Sequence, residues 1–260
     1  MTSTDQMQSA ASPSPWRAAL PSRAALVAQG KHLRASLARS SHARWAPPDD
    51  RPDPLQWLVA SHEERVPELI PIRYGRMLQS PFTFFRGSAA IMAADLVHTP
   101  TIGVRVQACG DCHLLNFGGF ATPERRLLFD LNDFDETLPA PWEWDVKRLA
   151  ASFVIASRHN HFSEANCRDA AQSCVRSYRE RMAEFARWPM LDVWYASIDS
   201  NMVMAQFTEA QVRKRLLKRA AKAATRDVVE EDFPKLVNIT DGTPIIRDNQ
   251  PLIYSRTHKV

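Results

Sequence analysis

No run of eighteen or more apolar residues occurs in the chain, and the longest apolar stretch, around Leu149 to Ala156, is too short for a bilayer-spanning helix, so a soluble protein is expected. No G-x-G-x-x-G arrangement occurs either, which removes one common loop for cradling phosphates. Acidic residues are nearly missing from Met1 to Ala46, where Asp5 stands alone among Ala, Ser and Arg. That bias is shared by organellar transit peptides, but it equally fits a Ser/Pro tail followed by a basic helix over Arg23 to Arg39. An apolar secretory core is missing as well, so the expected setting is the cytoplasm, with Cys109, Cys112, Cys167 and Cys174 reduced.

What is present is enough apolar sequence, 45% of 260 residues, to bury a sizeable core. The net charge of +4 invites a nucleic-acid partner. The basic residues are scattered, however, and the one dense group, Arg213, Lys214, Arg215, Lys218, Arg219 and Lys222, lacks interleaved aromatics and reads as a solvated helix face. Neither nucleic acid nor membrane is expected as a partner.

The chain divides into a tail with a basic helix (residues 1–46), a Pro-rich linker (47–54) and a larger domain (55–260). Within the last, a helix is predicted over Glu68 to Leu78, an extended aromatic segment over Phe82 to Arg86 and a small-residue helix over Ser88 to Val97. Alternation at Val104, Val106 and Ala108 predicts a strand ending at Cys109. Phe117 to Phe120 and Arg126 to Leu131 form a hairpin about Thr122 to Arg125. Helices follow at Trp142 to Ser157, Ser163 to Phe185, Met190 to Ser197 and Glu209 to Ala224, and a last hairpin turns at Asp241 and Gly242. The fold class is α+β, mainly helical.

Phosphoryl transfer needs a carboxylate at the attacking hydroxyl and hard oxygen ligands for magnesium. Kinases place the first carboxylate and an Asn on one loop with four residues between them, and a second metal-binding Asp after a hairpin. Asp111 and Asn116 have that spacing, and Asp133 follows the hairpin. The segment Gly110 to Asn116 resembles the Gly-Asp-x-His-x-x-Asn loop of aminoglycoside phosphotransferases and related kinases. Asp133, Phe134 and Asp135 resemble their metal loop. Asp145 occupies the place of the Asp that braces the catalytic loop in that family. Cys109 departs from the pattern, since many such kinases have His there.

A resemblance to the bacterial domain-of-unknown-function 2252 family covers more of the chain. It is carried by Pro71 to Arg76, Phe82 to Gly87, Gly110 to Gly119 and Asp130 to Ser152, and runs from about Ser40 onward. That family is itself kinase-like by resemblance. The likeness implies a kinase-like catalytic lobe with a short β-hairpin, Asp111 as base or hydroxyl-orienting group, His113 in the catalytic loop, Asp145 as brace, and Asn116, Asp133 and Asp135 as magnesium ligands. It also implies Mg2+ and ATP as cofactors and a small-molecule or protein substrate of unknown identity.

Other readings compete. Cys109 to His113 also spells C-x-x-C-H, the c-type haem attachment motif, but haem attachment requires export. Zinc would call for a second C-x-x-C, and there is none, since Cys167 and Cys174 fall on a predicted helix face as small core residues. Water activation by a metal-dependent hydrolase would call for a His cluster that is not visible. Asp130, Asp133, Asp135 and Glu136 could be a solvated turn, against which stands the expectation that Phe129, Leu131 and Phe134 are buried and hold the carboxylates in fixed directions. Trp142 and Trp144 read as packing, and Arg86 as either a phosphate contact or an ion-pair partner. Lys31, on the basic helix, is the one lysine before Asp111, so the nucleotide-holding lobe is absent or incomplete: either the chain is a non-catalytic pseudokinase-like scaffold, or the lobe lies after the helical part, and the family resemblance, whose members are typically longer, implies the second and a C-terminally truncated chain.

Overall fold

The computed structural model describes residues 21–63, 65–225 and 233–249. The described residues are mainly helical with small antiparallel hairpins, an α+β arrangement. They belong to two compact units, one of residues up to Trp45 with Pro100–Ile102, the other of Ala46–Thr99 and the residues from Gly103 onward. No described helix is long and apolar enough to cross a membrane. The sequence expectations for residues 1–20 and for the chain after residue 249 lie outside the described residues.

In the first unit, helix α1 (Arg23–Ser36) starts where the Ser22 hydroxyl accepts the Ala25 amide at 3.2 Å. The second unit opens with α2 (Pro54–Ala60), which the Pro-rich segment hides. Pro54 sits in the first turn, where its missing N–H costs nothing, and Asp53 caps the Leu55 amide at 2.9 Å. Next come α3 (Ile70–Met77), α4 (Pro81–Arg86) and α5 (Ala89–Leu96). Leu58, Met77 and Ile91, one each from α2, α3 and α5, bury their side chains together with Tyr74 against them. Arg51 clamps this group from outside by a two-pronged pair to Asp95, with bonds of 2.6 and 2.9 Å.

The extended segment expected at Phe82 to Arg86 is in fact the helix α4. Ser80 and Thr83 form a reciprocal capping box, each side chain accepting the other's backbone N–H, and Pro81 presets the first turn. This local nucleation outweighs the β-propensity of three phenylalanines in so short a run.

Strand β1 (Arg105–Ala108) pairs antiparallel with β4 (Leu138–Pro141), whose strand character the prolines conceal, and β2 (Phe117–Ala121) pairs with β3 (Leu127–Leu131). Helices α6 (Glu143–His159) and α7 (Glu164–Phe185) pack along one another as an αα-hairpin, with Cys167 fully buried and Trp142 stacked on Tyr178 at 5.6 Å. Helix α8 (Met190–Trp194) is shorter than the sequence predicts. It is followed by α9 (Ser200–Ala205), α10 (Ala210–Thr225), α11 (Phe233–Leu236) and the hairpin β5 (Val237–Thr240) and β6 (Thr243–Ile246). Asp241 and Gly242 both take positive φ, as a two-residue hairpin turn requires.

Candidate functional site

The loop from Cys109 to Asn116 leaves β1 through Gly110, whose φ is +83°. A Cβ there would also collide with the Glu136 carbonyl oxygen, so glycine is required both by conformation and by the crossing backbone. Helix α6 then fixes the loop with three side chains spaced at i, i+3 and i+7, which place them along one helical face. Asp145 accepts the Cys109 amide at 2.7 Å and the Gly110 amide at 3.1 Å. Arg148 grips Asp111, and the Ser152 hydroxyl accepts the Leu114 amide at 2.9 Å.

Arg148 is 2% exposed and donates through both Nε (2.7 Å) and Nη2 to Asp111 Oδ1. Its position is set from the other side by the Phe85 carbonyl (2.8 Å) and by the Phe85 ring beneath the guanidinium at 4.3 Å. One carboxylate oxygen of Asp111 is thereby committed. Its Oδ2 lies 3.5 Å from His113 Nε2, on a side chain that keeps 21% of its surface. His113 itself is buried. Burial, with Arg148 and Arg86 nearby, disfavours its charged form against the pull of Asp111, which leaves it a neutral loop histidine.

Asn116 is buried at the foot of the same loop. Its side-chain Nδ2 donates to the Asp111 carbonyl (3.0 Å) and to the Asp133 carbonyl (3.1 Å), and its backbone carbonyl accepts the Asn132 backbone amide at 2.9 Å. The Asp111 loop and the Asp133 loop are thus stitched together by a single side chain. Asp133 Oδ1 accepts the Asp135 amide at 3.1 Å, and both carboxylates stand at the surface. Phe134, expected to be buried between them, is 54% exposed, because the tight turn over Asp133 to Asp135 points it outward. The acidic cluster is therefore held by backbone turns and by Asn116 rather than by an apolar clamp at Phe134.

Among the described residues no three His, Cys, Asp or Glu side chains converge as a metal cage. The oxygen donors of Asn116, Asp133 and Asp135 suit a magnesium ion that keeps most of its waters and arrives with phosphate oxygens. Cys109 and Cys112 are free thiols flanking Asp111. Hydrogen bonding to Cys109 and burial push the Cys112 thiol up, so it stays protonated. A groove lined by Met77, Phe84, Phe85, Met92, Asp95 and Ile155 shares Phe85 and Met92 with the Arg148 contacts.

Sequence reasoning assigned no role to Arg148, Ser152 or Phe85. The signal for the first two was their helical spacing from Asp145; Phe85 carried none, since its stretch reads as a strand.

A family model described as an uncharacterized protein conserved in bacteria matches residues 65–260. No curated protein and no solved structure matches the chain.

Proposed function

The chain belongs to DUF2252, the family of uncharacterized proteins conserved in bacteria, and from its site we propose a kinase-like phosphotransferase that passes a phosphoryl group from ATP to a hydroxyl of a small-molecule or protein substrate. The observation that carries this reading is the Asn116 amide joining the Asp111 and Asp133 carbonyls, because phosphoryl transfer needs an acceptor-orienting carboxylate and phosphate-side oxygen ligands in one fixed frame. Asp111 presents Oδ2 to the acceptor hydroxyl, as base or orienting group, while Arg148 occupies Oδ1. Asp145 braces the loop by holding two of its amides. Asn116, Asp133 and Asp135 would hold the magnesium ion, which neutralises phosphate charge when bound. A cytoplasmic setting, where ATP is at hand and the thiols stay reduced, goes with this function.

A non-catalytic scaffold is the second reading, favoured by the lack of a Gly-rich loop and of any lysine but Lys31 before Asp111. The test is a titration with Mn2+ and a non-hydrolysable ATP analogue, watched by paramagnetic broadening of backbone amides. Broadening centred on Asn116 and Asp133, and lost in Asp133→Asn, is the expected result. Broadening elsewhere, or unchanged in that variant, would overturn the phosphotransferase reading.

A further inference from the structure

The C-x-x-C of the Asp111 loop has no part in the proposed function. Cys109 and Cys112 stand three positions apart on a stretch of chain that bends sharply. Gly110 takes φ +83°, and the His113 amide bonds back to the Asp111 carbonyl at 2.8 Å, which makes Cys112 the centre of a three-residue turn. The loop is kept from spreading, because Asp145 holds the Cys109 and Gly110 amides and Ser152 holds the Leu114 amide. Both thiols are free, 4% and 6% exposed, and hydrogen-bonded to one another. The Cys109 sulfur also sits in the junction of the two loops. It accepts Asn116 Nδ2 at 3.5 Å, and its S–H points at the Asp133 carbonyl at 3.7 Å, the same carbonyl that Asn116 Nδ2 reaches.

We propose that Cys109 and Cys112 form a redox-modification site, closed by a peroxide into a disulfide across Asp111 that withdraws the Cys109 sulfur from the Asn116 junction. A small oxidant suits thiols so enclosed. One thiol sulfur attacks a peroxide oxygen, the O–O bond breaks, and the leaving oxygen departs as water, giving a sulfenic acid. The second sulfur then attacks the first, the S–O bond breaks, and the hydroxyl leaves as a second water with the remaining thiol proton. Two thiols thus lose two electrons and two protons, and hydrogen peroxide is reduced to two waters. The S–S bond replaces the Cys109 S–H, so the Asp133 carbonyl loses that contact, and turning Cys109 toward Cys112 takes its sulfur from Asn116 Nδ2. The effect on metal and nucleotide rests on the phosphotransferase reading; the disulfide does not.

The reduced protein is treated with millimolar hydrogen peroxide, alkylated and digested with trypsin, which leaves Cys109 and Cys112 together on the peptide Val106 to Arg125 and the other two cysteines elsewhere. That peptide is expected unlabelled and lighter by two hydrogens, reversibly with dithiothreitol, and the Asn116 and Asp133 amides should shift. Cys112→Ser, which keeps Cys109 and every methionine, should lose both the crosslink and the amide shifts. No oxidation, a sulfenic or sulfinic acid without the crosslink, or a link from Cys112 to Cys174 on α7 overturns the site. A crosslink that leaves both amides unmoved, or the same shifts in Cys112→Ser, overturns its action on the junction. In the titration with Mn2+ and the ATP analogue, broadening at Asn116 and Asp133 should be lost on oxidation and return on reduction; equal broadening in both forms overturns that action too. Broadening in neither form removes the phosphotransferase reading, while the crosslink, read by mass, stands on its own.

Discussion

The Asp111–Arg148 pair sets the orientation of the one carboxylate to which the proposed chemistry assigns an acceptor role. With Arg148 enclosed by Phe85 and Met92, cutting it back to an apolar chain strands Asp111 against a dry wall. Arg148→Met is therefore expected to cost about 3 kcal/mol, the low end for breaking a buried pair because Asp111 is part exposed. Adding Asp111→Asn should recover part of that loss, since no uncompensated charge remains. Urea unfolding of the two variants checks this, and equal losses in both would show that the guanidinium serves packing alone. At this scale the sequence was legible where spacing could be compared with a known pattern: Asp111, Asn116 and Asp133 could be named from their intervals, and Asp145 from the resemblance to the kinase loop. Arg148 could not, because a charged residue on a helix is ordinarily solvated and its burial depends on a ring presented by α4.

Helices and strands were legible where a period extends over several turns, as in α6 and α7, or where a turn residue punctuates two strands, as at Asp241 and Gly242. Short elements were misread, α4 foremost among them. Its six residues are too few for a helical period, and its fate rests on the capping box between Ser80 and Thr83. Ser80→Ala is expected to lose about 1 kcal/mol. Hydrogen exchange should show the loss first as faster exchange of α4 amides, and because Phe85 seats Arg148, the Cys109 to Asn116 loop should follow. Exchange unchanged in that loop would show that α4 and the site are uncoupled.

For the whole molecule, the class of fold was legible, and so was the nearness of the Asp111 loop to the Asp133 turn. The way the pieces are fastened was not, since it depends on tertiary contacts that no local pattern carries. With no Gly-rich loop in the sequence, metal ligands alone contribute only part of nucleotide affinity, so calorimetry with Mg·ATP is expected to give weak or unmeasurable binding to this 260-residue chain. Micromolar affinity would show that Lys31, Arg73 or Arg86 anchors phosphates. The fastening also has a consequence in time. Cys109, Asp111 and Leu114 are held by residues 36, 37 and 38 positions later. At typical rates of synthesis, a ribosome needs about 2–7 s to add that much chain. For those seconds the nascent loop exists without its clamp. It gains a fixed shape only when α6 has emerged and folded back, so the Asp111 loop is set after α6 has been made rather than as its own residues are made.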